Sequence, residues 1–183
     1  MSGLDPGQGA EPDQAVVSGE VAAPIWLATA QETRIWAGRL AALLRAGDVV
    51  VLTGPLGAGK TTLVQGLAQG LGVRGPITSP TFVIARCHPS LGAGPDLVHV
   101  DAYRLAGALD LEDLGLEVDL ERAVTVLEWG GLVVHALSPE YLEILLERDE
   151  ECEGDRGVVR MVRWLGHGPR WADFPAPDGE RLA

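Results

Sequence analysis

Gly54-Pro55-Leu56-Gly57-Ala58-Gly59-Lys60-Thr61-Thr62 is the stretch with the plainest chemistry in the chain, and that chemistry is phosphate binding. Its first eight residues fit G-x-x-x-x-G-K-[ST], the P-loop pattern. Gly54, Gly57 and Gly59 let the backbone turn sharply and bring its N–H groups against phosphate oxygens. A helix opening near Lys60 adds unpaired N–H groups and the positive end of its dipole. Lys60 supplies a compact cation for the β- and γ-phosphates, and the Thr61 hydroxyl is placed to bind Mg²⁺. Pro55, Leu56, Ala58 and Thr62 complete the loop around the nucleotide. Lys60 is the only lysine in the chain, so a composition that otherwise uses arginine keeps lysine where a P-loop needs it.

A P-loop also needs a carboxylate near the metal, usually at the end of a neighbouring strand. Two acids compete for that place. Asp101 ends the apolar run Leu97-Val98-His99-Val100, and Glu128 ends Val124-Thr125-Val126-Leu127. Aspartate is the more usual residue there, but either could hold the ion while the other orients or deprotonates water. Ser79 or Thr81 could sense the γ-phosphate, or form an ordinary proline turn around Pro80. His99 reads as a packed or hydrogen-bonded histidine rather than a ligand. Trp129 is either core or a surface anchor for a partner. Arg104 could neutralise phosphate charge or pair with Asp101 or Glu112.

The elements that position these residues follow from periodicity. Ile25 to Ala28 reads as a first strand, and a helix opening at Thr29 or Gln31 puts Trp36, Leu40, Leu43 and Leu44 on one face before Gly47 stops it. Val49 to Thr53 is the buried strand feeding the P-loop, and the next helix runs from Lys60 to Leu71-Gly72. Further strands are expected at Phe82–Ala85, Leu97–Asp101 and Ala123–Glu128, with a surface loop over 87–96 and a short helix near Asp110–Leu114. Tyr141–Leu146 and Val158–Leu165 read as an antiparallel pair joined by an acidic loop, Glu147–Asp155. The fold class is α/β: a single P-loop NTPase-like domain over 24–166, with a mixed, mostly parallel sheet and a C-terminal antiparallel hairpin. Residues 1–23 read as a disordered acidic head and 167–183 as a loose tail.

Composition narrows the function. A net charge of −12 does not attract phosphate backbones, so no direct nucleic-acid binding is expected and any RNA would be held by a partner. No apolar run approaches a membrane span and no secretory signal is visible, so a cytoplasmic protein with reduced Cys87 and Cys152 is expected. The chain has no asparagine and no second lysine, which argues against the Asn-Lys-x-Asp guanine loop of common GTPases. Its arginines are dispersed, and no Arg-rich helical lid of the small-molecule kinase type is apparent.

Taken in order, the P-loop, Ser79-Pro80-Thr81-Phe82, His99-Val100-Asp101-Ala102-Tyr103-Arg104 and Glu128-Trp129 resemble the bacterial TsaE (YjeE) family, over roughly Ile25 to Leu165. The resemblance implies an ATP- and Mg²⁺-dependent ATPase, slow alone, that serves tRNA threonylcarbamoyladenosine biosynthesis with the TsaB–TsaD complex. It implies that Glu128 is a metal ligand beside Thr61, that Asp101 is required for hydrolysis, and that Trp129 is functionally important. It also suggests Thr33 as a residue near the nucleotide. Pro55 stands where such proteins often carry an acid, and nothing carries over to the head, the tail or the acidic loop. Two other readings stay open: a nucleotide-dependent binding module without essential hydrolysis, and a small-molecule P-loop kinase.

Overall fold

Residues 23–80, 85–104, 120–154, 157–175 and 177 are described by a computed structural model. The expected short helix near Asp110–Leu114, as well as Thr81, Phe82 and all but Ala23 of the head, lie outside these residues.

Branched apolar runs make the sheet. The strands are β1 (Ile25–Leu27), β2 (Val49–Thr53), β3 (Ala85–His88), β4 (Asp96–Asp101), β5 (Ala123–Glu128), β6 (Tyr141–Gly154) and β7 (Gly157–His167). Their order across the sheet is β1-β7-β6-β2-β5-β4-β3. The four central strands β6, β2, β5 and β4 are mutually parallel, and the pairs β1–β7, β6–β7 and β3–β4 are antiparallel. β2 and β5 are buried almost throughout, as their unbroken apolar sequences require of central parallel strands.

Two helices cover one face. α1 (Ala30–Ala41) starts at Thr29, whose hydroxyl accepts the Glu32 N–H at 3.0 Å while Glu32 Oε2 accepts the Ala28 N–H at 2.7 Å. α2 (Lys60–Leu71) ends at Gly72, which is left-handed at φ 66°. The helices pack closely because Gly66 and Gly70 present no side chain: a Cβ on Gly66 would lie 2.7 Å from that of Ala37. Trp36, Leu40, Leu63 and Leu67 fill the space down to Val50, Leu52 and Val126. A smaller cluster on the opposite face joins Val51, Val98 and Leu127 to Val133 and to Val134 of a short helix, α3 (Val134–Leu137).

Three expectations are corrected. The surface loop over 87–96 begins later, because Cys87 and His88 are strand, paired with Val98 and Leu97 of β4. The acidic loop at 147–155 is largely strand: β6 and β7 pair as far as Gly154 and Gly157, with an irregularity between Asp149 and Gly154. Charged residues conceal such an extension, because the stretch from Glu147 to Asp155 carries no apolar alternation to announce a strand. The tail is not loose from 167: a 3₁₀ turn at Pro169–Trp171 buries Trp171 in the main core, against Phe174 at 4.9 Å.

Candidate active site

Strand ends decide what can meet. Parallel β2, β4 and β5 finish at the same edge of the sheet, the edge where α/β folds gather ligands. In register, Asp101 stands opposite Glu128, and Glu128 opposite Leu52, just before the P-loop. Both acids therefore project to the face that carries α2, whose first residues are Lys60 and Thr61. The structure brings Lys60, Thr61, Thr62, Asp101 and Glu128 into one cleft of about 710 Å³, with Leu56, Gly57, Gly59, Ser79 and Trp129 also on its walls.

Backbone geometry shapes the loop. Gly54 has φ 157°, and a Cβ there would run into the Leu146 carbonyl of β6. Gly59 has φ 103° and sets the turn into α2. Ala58 is fully buried, whereas Leu56 stands out into solvent.

Lys60 is nearly buried. Its ammonium donates to the carbonyls of Gly54 at 2.8 Å and Pro55 at 3.0 Å, and it lies 3.9 Å from the centre of the Trp129 ring. Burial lowers its pKa below the usual lysine value, partly offset by the charges of Glu128 and Asp101. Thr61 donates its hydroxyl to Glu128 Oε1 at 3.0 Å. The same oxygen lies 3.0 Å from Nε2 of His99, which is fully buried. With a proton on Nε2 the ring donates to Glu128, and Nδ1 finds no partner among the described residues. The expectation that His99 is hydrogen-bonded thus meets a specific partner. Asp101 Oδ1 accepts the Tyr103 N–H at 3.1 Å, which leaves its second oxygen to other work.

Trp129 is not core: it is 36% exposed on the cleft wall and meets Tyr103 edge to face at 5.6 Å. Its φ of 63° is the one positive value on a non-glycine among the described residues. Thr33 is a correction. It is fully buried, its hydroxyl donates to the Thr29 carbonyl at 3.1 Å, and it does not line the cleft. One cleft residue was missed: Arg160 of β7, whose Nε donates to the Ala58 carbonyl at 3.1 Å. It lies a hundred residues from the P-loop in sequence, and only the extended hairpin carries it there.

The donor set suits a small hard cation. Thr61 and Glu128 offer oxygen at one point, and Asp101 stands beside them. No cluster of three or more His, Cys, Asp or Glu able to hold a metal is present among the described residues. Mg²⁺ needs none, because it takes one or two protein ligands together with water and phosphate oxygens.

Known proteins resemble the chain closely. It matches the family described as Threonylcarbamoyl adenosine biosynthesis protein TsaE over residues 27–158. It is 59% identical over 135 residues to the tRNA threonylcarbamoyladenosine biosynthesis protein TsaE of Streptomyces coelicolor, covering 73% of this chain and 90% of that one. It is 40% identical over 126 residues to the protein of the same name from Bacillus subtilis, covering 67% and 77%. The crystal structure of Bacillus subtilis YdiB superposes with a TM-score of 0.63 at 30% identity, covering 83% of this chain and 89% of that one.

Proposed function

The chain belongs to the TsaE family, and from that membership we propose that it is a Mg²⁺-dependent ATPase acting in tRNA threonylcarbamoyladenosine biosynthesis. The observation that carries the reading is the meeting of the Thr61 hydroxyl with Glu128 Oε1 at 3.0 Å, at the mouth of a P-loop and in register with Asp101. In this reading the P-loop N–H groups and Lys60 bind the phosphates, while Thr61 and Glu128 hold Mg²⁺. When bound, the ion neutralises charge that builds on the phosphate oxygens. His99 keeps Glu128 turned toward the cleft through its Nε2 contact. Asp101 orients the attacking water and takes its proton as the water oxygen bonds to the γ-phosphorus. The bond from phosphorus to the β–γ bridging oxygen breaks, and ADP and phosphate leave. Positioning and charge stabilisation supply most of the acceleration.

Isolated, the protein turns over slowly, because Lys60 is held by its own loop and must be drawn off the Gly54 and Pro55 carbonyls. The TsaB–TsaD complex is the proposed partner, the RNA is held there and not by this acidic chain, and the compartment is the cytoplasm. Among the described residues no helix is long and apolar enough to cross a membrane. A second reading, a nucleotide-dependent binding module, has one observation in its favour: Tyr103 at 70% exposure and Leu56 at 87% give the cleft an apolar rim suited to a partner protein. ATPase assays of the wild type and Asp101→Ala, with and without TsaB–TsaD, decide between them. The ATPase reading expects stimulation by the partners and loss of both turnover and tRNA modification in Asp101→Ala. Modification that survives in Asp101→Ala would favour the binding module.

A further inference from the structure

We propose that Arg160 and Arg148, in-register partners on β7 and β6, are phosphate-positioning residues that close the P-loop cradle from the hairpin side. This rests on the nucleotide reading of the same cleft and adds to it a cationic wall that the P-loop pattern does not contain.

The hairpin reaches the loop because β6 outruns its neighbour. Thr53, the last residue of β2, pairs with Leu145, and β6 then continues to Gly154 over the edge where the P-loop begins. Arg148 and Arg160 face each other in this overhang. Arg160 lines the cleft, and its Nε approaches to 2.6 Å the point where a Cβ on Gly59 would sit. Nη1 of Arg148 comes within 3.2 Å of the corresponding point on Gly57. The two guanidinium groups thus lie against the two glycines whose positive φ angles, 79° and 103°, shape the loop. Side chains on either glycine would occupy the space the arginines use.

Asp101 and Glu128 form the wall on the β4–β5 side, where a cation belongs, while Arg148 and Arg160 approach the loop glycines from the β6–β7 side, on a hairpin whose first strand also carries Glu147, Asp149, Glu150, Glu151 and Glu153. Desolvation lowers the Arg160 pKa, and the neighbouring Arg148 charge lowers it further. Guanidinium binds phosphate through paired, charge-assisted hydrogen bonds, so a polyphosphate in the cleft is matched by the groups that face the two loop glycines. The chain carries a net charge of −12, so two arginines held at this one edge are not a sample of a generally basic surface.

The test is titration calorimetry of wild type, Arg160→Gln, Arg160→Lys and Arg148→Gln with ATP, adenosine and inorganic tripolyphosphate, each at two salt concentrations. Arg160→Gln is expected to weaken ATP and tripolyphosphate by about tenfold to a hundredfold, the scale of hydrogen bonds to a charged group, and to leave adenosine unchanged. Arg160→Lys recovers part of the loss, Arg148→Gln loses less because the side chain is exposed, and the salt dependence of binding flattens in both glutamine variants. Should Arg160→Gln prove poorly folded by circular dichroism, Arg148→Gln decides alone. ATP affinity within twofold of wild type in both glutamine variants overturns the proposal while leaving the nucleotide reading intact. Equal weakening of ATP and adenosine overturns it too, by reducing Arg160 to a prop for the Ala58 carbonyl. Wild type that binds tripolyphosphate through the arginines but not ATP refutes the nucleotide reading and keeps the arginine site; wild type that binds neither refutes both.

Discussion

The face of the Trp129 indole lies 3.9 Å from the ammonium of Lys60, so the cation that a triphosphate needs is packed under an aromatic ring and tied to two carbonyls of its own loop. Such a cation–π contact is worth about 2 kcal/mol when desolvated. Phosphate must replace part of this arrangement, and the indole then sees a different charge. ATP binding is therefore expected to change the intrinsic tryptophan fluorescence, and the change should vanish in Trp129→Phe although Trp26, Trp36, Trp164 and Trp171 remain. A nucleotide-dependent signal that persists in Trp129→Phe would show that the ring does not follow the lysine.

The burial of Lys60 has a signature in stability. Its folded-state pKa is lowered from 10.5, chiefly by desolvation, so the unfolded chain holds this proton more tightly than the folded one. Below both values the folded protein carries the full cost of keeping the charge buried. As pH rises through the window between the lowered value and 10.5, that cost disappears and this group's contribution to stability improves. Lys60→Met is expected to abolish ATP binding yet raise the melting temperature at neutral pH, with the gain shrinking as pH approaches 10.5. A variant less stable than wild type at every pH would mean that the bonds to Gly54 and Pro55 outweigh desolvation.

Asp101 and Glu128 occupy one rung of the sheet and separate kinetically. Asp101→Asn should leave ATP affinity near wild type and reduce kcat by about a hundredfold or more, the usual contribution of a general base. Glu128→Gln should instead raise the Mg²⁺ concentration needed for half-maximal activity. His99→Ala should do the same by about tenfold to a hundredfold, since it removes the buried contact at 3.0 Å that orients Glu128. Mg²⁺ titrations of steady-state ATPase for the three variants check this. Identical Mg²⁺ dependence in wild type and Glu128→Gln would remove Glu128 from the metal.

What was readable in the chain follows a physical division. Val49–Thr53, Asp96–Asp101 and Ala123–Glu128 are strands buried almost throughout, so near-continuous apolar runs announce them, and the last two end in Asp101 and Glu128. The P-loop is a local pattern, and helix α2 is bounded by Lys60 and Gly72 as its periodicity requires. Arg160 was not readable, because its place in the cleft depends on how far the hairpin overhangs β2, and charge patterns carry no length signal. Thr33, suggested by the family resemblance and not by its own sequence context, spends its hydroxyl on the Thr29 carbonyl, one turn back.

The segment after Gly166 misled through composition and supplies the last prediction. Its glycines, prolines and charges resemble a tail, yet Trp171 is only 2% exposed and closes the main core beside Trp164 and Leu44. Arg170 grips the buried Asp48 with both arms, Nε to Oδ1 at 3.0 Å and Nη2 to Oδ2 at 2.9 Å, and Nη2 also donates to the Leu43 carbonyl at 3.1 Å. This ties the end of the chain to the turn that leads into β2, and so to the strand that feeds the P-loop. Trp171→Ala is expected to cost about 3–5 kcal/mol in urea unfolding, the range for deleting a buried aromatic. Arg170→Ala leaves the Asp48 carboxylate with the Arg45 N–H at 2.9 Å and the Arg45 guanidinium at 3.8 Å, and is expected to cost about 1.5–3 kcal/mol, the scale of hydrogen bonds to a charged group. A chain stopped at His167 loses both, which approaches the whole stability of an ordinary domain, about 5–15 kcal/mol. It should therefore unfold or aggregate under conditions where the chain stopped at Pro177 melts cooperatively, and a truncated protein with an unchanged urea midpoint would show that this segment contributes nothing to the core.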